Sequence, residues 1–222
     1  MTTRREPGAG PRTALSRDRV LRAAVDLADE TGIDTLTMRR LGERLGVEAM
    51  SLYNHVANKE DLLVGMADSV LTEVELPAEG VDWKTSMHRR AASERKALVR
   101  HPWAAVLIGA LPHPGPEALR HADAVLGSLI RAGFTADMAS RAFWMIDSYI
   151  YGFARQQSNV QLQEAADPDV AQATRDLPAE TYPYLVQAAV SYAAGPGWDI
   201  EQEFEFGLGM ILDGLEPHMT AE

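Results

Sequence analysis

The sequence predicts an all-α protein with an N-terminal three-helix, helix-turn-helix domain and a larger helical domain. Two observations support this: apolar residues recur three and four positions apart along most of the chain, and no segment alternates as a strand would. The 222 residues, 46% of them hydrophobic, supply enough apolar side chains for both cores. We divide the chain into a disordered arm over 1–14, the helix-turn-helix domain over 15–62 and the larger domain over 63–222.

Capping residues mark the first two helices of the small domain. Ser16 predicts the start of the first helix, since its hydroxyl can accept a free backbone N–H, and Gly32 predicts its end. Thr37 can cap the second helix in the same way. Gly46 then predicts the turn that separates the second helix from the third.

The third helix is predicted over 48–55, and Asn58 can cap a fourth helix that continues until Pro77 interrupts it. Residues 1–14 ahead of these helices contain glycine, proline and arginine without periodicity. That composition favours a disordered arm, although its arginines also suit a DNA minor groove or phosphates.

The larger domain contains six predicted helices joined by loops rich in proline, glycine or acidic residues. They span 83–100, 103–111, 117–131 (or from 116), 135–157, 179–194 and 200–215. Residues 158–178 contain two prolines and an acidic bias, so we predict a mobile loop there. Residues 112–116 also predict a loop, because they alternate proline with other residues.

Composition limits the classes of function. The chain has no cysteine, so it cannot form disulfides, use a thiolate nucleophile or bind a metal through sulfur. Its first residues lack the apolar run of a signal peptide, and no later run reaches the roughly 20 apolar residues of a membrane span. We therefore expect a cytoplasmic protein with no membrane partner.

Charge is unevenly distributed along the chain, whose net charge is -11. Residues 1–60 carry ten Lys/Arg and nine Asp/Glu, a net charge of +1, whereas residues 61–222 carry eleven and twenty-three, a net charge of -12. Because duplex DNA is a dense polyanion, the first part is the one suited to binding phosphates.

The outward-facing residues of the helix-turn-helix mix cations, short polar groups, an aromatic ring and a thioether, which suits a DNA groove. The predicted DNA-binding residues are Thr37, Arg39, Arg40, Ala49, Met50, Ser51, Tyr53, Asn54, His55 and Lys59. In such a motif the residues at the start of the second of the two packed helices meet base edges. Here those residues are Ala49, Met50 and Ser51.

The segment LSRDRVLRAAVDLADETGIDTLTMRRLGERLGVEAMSLYNHVANKEDLL resembles the DNA-binding domain of the TetR family of bacterial transcriptional repressors. The closing FEFGLGMILDGLE is similar to the last helix of the subgroup that includes the tetracycline repressors. The resemblance implies a homodimer on a palindromic double-stranded DNA operator, released by a small-molecule effector.

Base reading and phosphate binding can be assigned to different residues. Arg39 resembles a family position that reaches a base, and arginine prefers the two acceptors of guanine. Met50 can contact a thymine methyl group. Tyr53 and Lys59 match positions that the family uses largely for phosphates, as does His55. Each has a structural alternative: Tyr53 can fill the core, His55 can cap a helix and Arg40 can be solvated surface.

Two helices of the larger domain are apolar on more than one side, which predicts that one side is buried and another meets a partner subunit. By resemblance, the helices at 135–157 and 200–215 pair with their copies as a four-helix bundle. The predicted dimer residues are Ile146, Ile150, Phe153, Phe204, Leu208, Ile211 and Leu212.

The resemblance also implies a sensing pocket, for which the sequence offers an aromatic-rich set with one acid. The predicted ligand-binding residues are Trp103, Leu107, Phe143, Trp144, Asp147 and Tyr151. An ordinary hydrophobic core is the alternative. Asp147 needs a polar partner if it is buried, and a ligand, Ser148 or an arginine can supply it.

Other functions remain to be compared. The sequence has no metalloprotease motif, paired carboxylates or nucleophile elbow, so we expect no enzyme activity, metal site or cofactor. A second alternative keeps the DNA-binding role and replaces the small molecule with a protein partner or no effector. The sequence does not decide between repression and activation, because the position of the operator decides it.

Overall fold

A computed structural model describes residues 14–166, 177–194 and 199–220, and these residues form an all-helical fold. The chain divides into two compact units, Met1–Met66 and Ala67–Glu222. The predicted arm, apart from its last residue, lies outside the described residues. In the part of the chain that the structure describes, every helix is too short or too polar to cross a membrane.

The first unit contains three helices, a short 3₁₀ turn and the start of a fourth helix. They are α1 (Arg17–Thr31), the turn Ile33–Thr35, α2 (Met38–Leu45), α3 (Ala49–Leu52) and α4 (Lys59–Leu71). All three predicted N-caps are confirmed: Ser16, Thr37 and Asn58 each accept a backbone N–H three residues ahead. The core of this unit is apolar and includes Val20, Leu27, Leu36, Leu41, Leu52, Val56 and Leu62.

The turn between α2 and α3 depends on two glycines. Gly46 ends α2 with φ 69° and ψ 33°, a left-handed conformation that glycine adopts without strain. Gly42 allows a close approach, since a Cβ atom there would lie 2.8 Å from the Val47 carbonyl oxygen and 3.2 Å from the Ala49 nitrogen. These two positions hold α3 against α2.

The second unit is built around one long helix. Its elements are α5 (Trp83–Arg100), α6 (Pro102–Ala110), α7 (Pro116–Arg131), α8 (Ala136–Ala166), α9 (Pro183–Ala194), α10 (Ile200–Leu215) and a 3₁₀ turn (Glu216–His218). Helix α8 packs against α5, α6, α7 and α10. The predicted bounds of α5 and α10 are confirmed.

Helix α6 begins and ends one residue earlier than predicted, and α4 ends at Leu71, before the predicted break at Pro77. Three other helices differ from their predicted bounds by three residues or more at one end. Helix α3 covers only Ala49–Leu52, and the backbone then closes in tight turns such as His55 N–H to Leu52 O. Helix α8 continues to Ala166, because 158–166 contains no glycine or proline and is rich in helix-forming residues. The rest of that predicted loop, apart from its last two residues, lies outside the described residues. Helix α9 begins only at Pro183, a residue that suits a first helical turn.

Most of the residues predicted to contact a partner subunit belong instead to the core of the second unit. Ile146, Ile150, Phe204, Leu208 and Leu212 are fully buried within the single chain, so a second copy cannot touch them. Phe153 and Ile211 are half-buried. The prediction is wrong for the five buried residues, because a helix that is apolar all round does not indicate which side faces inward.

Helices α8 and α10 pack closely through an aromatic cluster. Tyr149 donates its hydroxyl hydrogen to the Phe204 carbonyl oxygen at 3.0 Å, and the two rings stack with centroids 5.4 Å apart. A Cβ atom on Gly207 would lie 2.3 Å from the Tyr149 hydroxyl. The glycine therefore permits the close approach of another helix, and that helix is α8 of the same chain.

Candidate nucleic-acid interface and internal cavity

The surface of α2 and α3 exposes a small set of side chains suited to DNA. The Arg39 side chain is 86% exposed and Met50 is 74% exposed. Tyr53, Asn54 and Lys59 are also exposed. A long cation and a thioether of this accessibility can enter a groove without any change in the core.

Arg39 is held on the helix surface by an acidic neighbour. Its Nε atom donates to Glu43 Oε1 at 2.9 Å, one helical turn away, and this hydrogen bond is the main reason that the pKa of Arg39 is raised. Exposed ion pairs of this kind contribute little stability. Arg39 can therefore exchange Glu43 for a base without a large loss.

Other residues predicted to bind DNA have structural contacts. Arg40 is half-buried, and its Nη1 atom donates to the Thr35 carbonyl oxygen at 3.1 Å. Thr37 accepts the Arg40 N–H as the cap of α2. Ala49, Ser51 and His55 are half-buried beside the exposed residues. Arg40 therefore has a structural contact and is not simply solvated surface, and Tyr53 does not fill the core, because its ring is exposed.

An ion pair holds α1 against the start of α4. Two guanidinium nitrogens of Arg17 donate to the Asp61 carboxylate at 2.8 and 2.6 Å, and Asp61 also accepts the Ala57 N–H at 2.8 Å. The hydrogen bond from Arg17 is the main reason that the pKa of Asp61 is lowered. Sequence analysis missed this pair, because its partners are 44 residues apart.

The second unit contains a cavity of about 490 Å³ that is open to solvent on the side of Leu119 and Trp144. Its wall is mostly apolar and is contributed by α4, α5, α6, α7 and α8. The lining residues are Leu71, Arg90, Glu94, Ile108, Gly109, Leu111, Pro114, Ala118, Leu119, His121, Ala122, Phe143, Trp144, Asp147, Ser148 and Tyr151. The size and the apolar wall with a few converging polar groups are typical of a small-molecule site.

Four of the six residues predicted to bind a ligand come together at this cavity: Phe143, Trp144, Asp147 and Tyr151. Trp103 and Leu107 do not line it. Both are buried in the core, where the Trp103 ring contacts that of His101 with centroids 5.9 Å apart. Helix α6 turns its next residues, Ile108 and Gly109, toward the cavity instead.

Three charged groups meet in the cavity wall. The Nη2 atom of Arg90 lies 2.7 Å from Glu94 Oε2 and 2.7 Å from Asp147 Oδ1. The side chains are 2%, 1% and 11% exposed, respectively. Asp147 thus has an arginine partner, one of the possibilities given by the sequence.

These ion pairs leave polar atoms without a hydrogen bond of good geometry. Such atoms include Arg90 Nε and Nη1, both Glu94 oxygens and Asp147 Oδ1. Arg90 Nη2 lies at ion-pair distance from both acids, so Glu94 and Asp147 share the charge of one guanidinium group. Buried polar atoms of this kind are rare in proteins, and a bound molecule is one explanation for a cluster of them.

Burial dominates the ionisation of this cluster. It raises the pKa of Glu94 to about 7, although the charge of Arg90 opposes the shift. Burial also raises the pKa of Asp147 and of Tyr151. It lowers the pKa of His121, and Arg90 adds to that effect, so the ring is neutral at pH 7.

Arg90, Glu94 and His121 were not predicted as ligand-binding residues from the sequence. A signal for the first two was present in α5, where Met87, Arg90, Ala91 and Glu94 fall on one face with the spacing of a buried stripe. Charged residues inside such a stripe indicate buried ion pairs. The position of Asp147 opposite them depends on the packing of α5 against α8, which the sequence does not reveal.

Comparisons with known proteins cover both units. Residues 20–66 match the family model of bacterial regulatory proteins, tetR family, and residues 76–219 match that of the tetracyclin repressor-like C-terminal domain. The HTH-type transcriptional repressor DrrR1 of Streptomyces coeruleorubidus is 36% identical, over 96% of this chain and 82% of that protein. The class C tetracycline repressor protein of Escherichia coli is 35% identical, over 91% of each chain.

Solved structures show the same fold. The TetR family protein ActR of Streptomyces coelicolor, in complex with actinorhodin, superposes with a TM-score of 0.75 and 29% identity over 92% of this chain and 98% of that one. A possible TetR family transcriptional regulator from the same species superposes with a TM-score of 0.75 and 33% identity, over 91% and 99% of the two chains.

Proposed function

The chain belongs to the TetR family of bacterial transcriptional regulators, and we propose that it is a homodimeric repressor of a palindromic operator that a small molecule releases from DNA. Its relatives are repressors, and it is a helix-turn-helix regulator rather than an enzyme. The observation that carries the ligand-released mechanism is the aromatic cavity with its buried charges in the second unit. Its place of action is the cytoplasm, where the operator is.

Small-molecule control is favoured over a protein partner or no effector. A fully packed second unit would support the alternatives, whereas this unit contains a cavity of about 490 Å³. Relatives also bind or are named after ring-containing compounds, as in ActR with actinorhodin and the tetracycline repressor proteins. These ligands belong to the relatives, and they suggest only a general class for this chain.

Base reading is assigned to Arg39, Met50 and Ser51, and phosphate binding to Tyr53, His55 and Lys59. The readers lie on α2 and α3, and Lys59 begins α4, where the positive end of the helix dipole also favours an anion. Ala49 and Asn54 lie beside them, while Thr37 and Arg40 support the surface through their structural contacts. Few side chains are available to read bases, so the spacing of two copies adds specificity.

Two exposed apolar surfaces support a homodimer. Phe206 and Met210, four residues apart on α10, are 68% and 63% exposed, and they replace the buried residues predicted for this role. Helix α9 is apolar in composition, yet Tyr184, Leu185 and Val190 are exposed. An isolated helix of 12 residues is marginal in water, so α9 needs a surface to pack on, and a second copy supplies one.

Helix α4 provides the connection for ligand release. It begins at Lys59, a proposed phosphate-binding residue, and Leu71 at its end lines the cavity. A ligand that shifts this helix changes the separation of the two reading helices, which must lie about 34–36 Å apart to enter adjacent major grooves. Release requires different ligand affinity in the two states, typically about 1–3 kcal/mol.

Selection of bound DNA sequences tests the operator assignment. We expect a palindrome, and Arg39→Ala should relax one base preference at a cost of about 1–3 kcal/mol, whereas Lys59→Ala should weaken all sites similarly. The matched control is Arg131→Ala, which removes a cation from the second unit. Equal, sequence-blind losses from Arg39→Ala and Lys59→Ala would show that Arg39 does not read a base.

Sedimentation measurements test the dimer. Phe206→Asp and Met210→Asp should shift the protein from dimer to monomer and abolish high-affinity operator binding, because each places a charge in an apolar contact. Val106→Asp is the control, since Val106 is 57% exposed on α6. A wild-type monomer that binds an asymmetric site would contradict the proposal.

Titration of ligands against the operator complex tests release. Compounds that raise the melting temperature of the second unit should also weaken operator binding by about 5- to 150-fold. A compound that binds tightly in the cavity and leaves DNA affinity unchanged would argue against release by ligand.

A further inference from the structure

We infer that the cavity selects an effector with an apolar, aromatic body and a protonated amine that lies between the carboxylates of Glu94 and Asp147. This inference rests on the proposed function, because it takes the cavity as the effector site. It adds the chemical class of the ligand and a proton that is released when the ligand binds.

The charge of the wall points to a cation. Glu94 and Asp147 approach a single nitrogen of Arg90, so two acids share one positive charge. The other titratable groups facing them are Tyr151 on α8, which is held protonated, and His121 on α7, which is held neutral. Two charged residues near His121 have opposite effects on its pKa: Arg120 lowers the pKa and Glu117 raises it. With both acids ionised, the wall therefore has an excess of one negative charge.

The acceptor oxygens of Glu94 and Asp147 also favour a cationic ligand. Glu94 Oε2 and Asp147 Oδ1 both face the single Nη2 atom of Arg90 at 2.7 Å, so these two buried acceptor oxygens share one donor nitrogen. An ammonium group carries three donors and no acceptor, so it can supply the donors that the two carboxylates now share. An anion would instead add to the excess negative charge, even though Nε and Nη1 of Arg90 are open donors. Those two atoms suit a neutral oxygen elsewhere on the ligand.

A proton on Glu94 can neutralise the excess negative charge of the cavity wall. Because burial raises the pKa of Glu94 to about 7, this carboxyl group is partly protonated at neutral pH. The ammonium supplies the positive charge that the proton supplied, so one proton leaves for each cation bound to a protonated site. Affinity for the amine should consequently increase as the pH rises through this range.

The rest of the cavity fits the apolar part of such a molecule. Phe143 and Trp144 present aromatic rings, with centroids 6.2 Å apart, and Ile108 and Leu119 add aliphatic surface. Aromatic faces also attract cations. The Arg90 guanidinium lies 5.9 Å from the Phe143 ring centroid, so the wall already holds one cation in this manner.

Three fluorescent probes with one tricyclic body test the inference: anthracenylmethylamine, anthracenylmethanol and anthracenecarboxylate. We expect the amine to bind wild-type protein about tenfold or more tightly than the alcohol, and the carboxylate to bind weakest. Glu94→Gln and Asp147→Asn should each remove most of the amine's advantage while leaving the affinity for the alcohol within about twofold. The control is Asp137→Asn, which changes an exposed acid on α8 that pairs with Arg141. It should change neither the amine's advantage nor the affinity for the alcohol.

Calorimetry in two buffers of different ionisation enthalpy measures the number of protons released when the amine binds. Wild-type protein should release a proton on binding the amine near pH 7, and Glu94→Gln should release less. Tightest binding of the carboxylate, equal binding of all three probes or binding of none would overturn the inference. Tryptophan fluorescence during unfolding identifies a variant whose second unit has not folded. For such a variant, the test is the pH dependence of the wild-type protein's affinity for the amine, which should increase as the pH rises.

These measurements use the protein without DNA, so they separate the inference from the proposed function. If the amine binds with proton release and leaves operator affinity unchanged, the proposed release fails and the inference stands. If other compounds release the operator and the amine has no advantage, the function stands and the inference fails.

Discussion

The two units differ in where they place charge. In the described residues up to Met66, the ion pairs Arg17–Asp61, Arg39–Glu43 and Arg44–Glu30 all lie at the surface, and the buried residues are apolar or glycine. The second unit buries Arg90, Glu94, Arg95, His121 and Asp147.

This difference separates a unit stabilised by apolar packing from one that keeps charges inside. Breaking a surface ion pair costs little free energy, so cations of the first unit can exchange a carboxylate partner for a DNA base or phosphate. Buried charges are expensive unless they are fully paired, and they are retained where binding needs them.

Removal of the cation from the buried cluster should have the largest effect. Arg90→Ala leaves Glu94 and Asp147 without a positive charge and should destabilise the second unit by about 3–5 kcal/mol. All four tryptophans lie beyond residue 66, so tryptophan-monitored urea unfolding reports this unit alone. The control is Arg141→Ala, which breaks an exposed pair with Asp137 and should cost below about 1 kcal/mol. Equal losses would mean that burial does not distinguish the two pairs.

A change in packing should have the next largest effect, in the first unit. Gly42→Ala brings a methyl group against the Val47 carbonyl oxygen and should destabilise the helix-turn-helix by about 1–3 kcal/mol. Operator binding should fall while tryptophan-monitored unfolding stays unchanged. Gly214→Ala is the control, because open space surrounds a Cβ atom there. Normal operator affinity in Gly42→Ala would show that α2 and α3 tolerate a wider separation.

Stability should depend on pH with opposite signs in the two units. Glu94 has a folded pKa of about 7 against an ordinary value of 4.5, so the folded second unit binds more protons and loses stability as the pH rises between these values. Asp61 has a lowered pKa, so its contribution is present above its ordinary value of 3.8 and is lost as the pH falls through the folded pKa.

Variants assign these slopes to residues. Glu94→Gln should flatten the fall in tryptophan-monitored stability between about pH 4.5 and 7, and Asp61→Asn should flatten the acid loss of the first unit, followed by circular dichroism. A second unit that gains stability over that range in the wild type would refute the assignment to Glu94.

Loss of a surface pair should have the smallest effect. Asp61→Ala removes the contact with Arg17 and the hydrogen bond from Ala57, and should cost about 1 kcal/mol, less at high salt. Glu43→Ala, which removes only the exposed partner of Arg39, should stay within about 0.5 kcal/mol. A loss from Asp61→Ala as large as that from Arg90→Ala would remove the distinction between the units.

Local features of the fold could be predicted because local chemistry decides them. The caps Ser16, Thr37 and Asn58 bond to residues three positions ahead, so their role follows from the adjacent sequence. The ends of α5 and α10 follow from the same kind of signal. The extent of α8 was less predictable, because a polar stretch without proline or glycine suits either a helix or a loop.

The candidate sites were predictable to different degrees. The DNA-facing residues fall within one short segment, so helical periodicity and the family resemblance suffice to assemble the surface. The cavity joins α4, α5, α6, α7 and α8, and Trp103 and Leu107 were assigned to it only because aromatic and aliphatic residues suit either a core or a pocket. Arg90 and Glu94 were not predicted, because their partner Asp147 lies far away in the sequence, on α8.

The sequence was sufficient to predict the all-helical fold, the helix caps and the family, since each depends on neighbouring residues and on motifs along the chain. Only the tertiary structure decided which sides of α8 and α10 are buried, burying Ile146 and Phe204 and exposing Phe206 and Met210. It also decided that Arg90 lies between Glu94 and Asp147. Periodicity shows that a helix has an apolar side, but contacts between distant segments determine what that side meets.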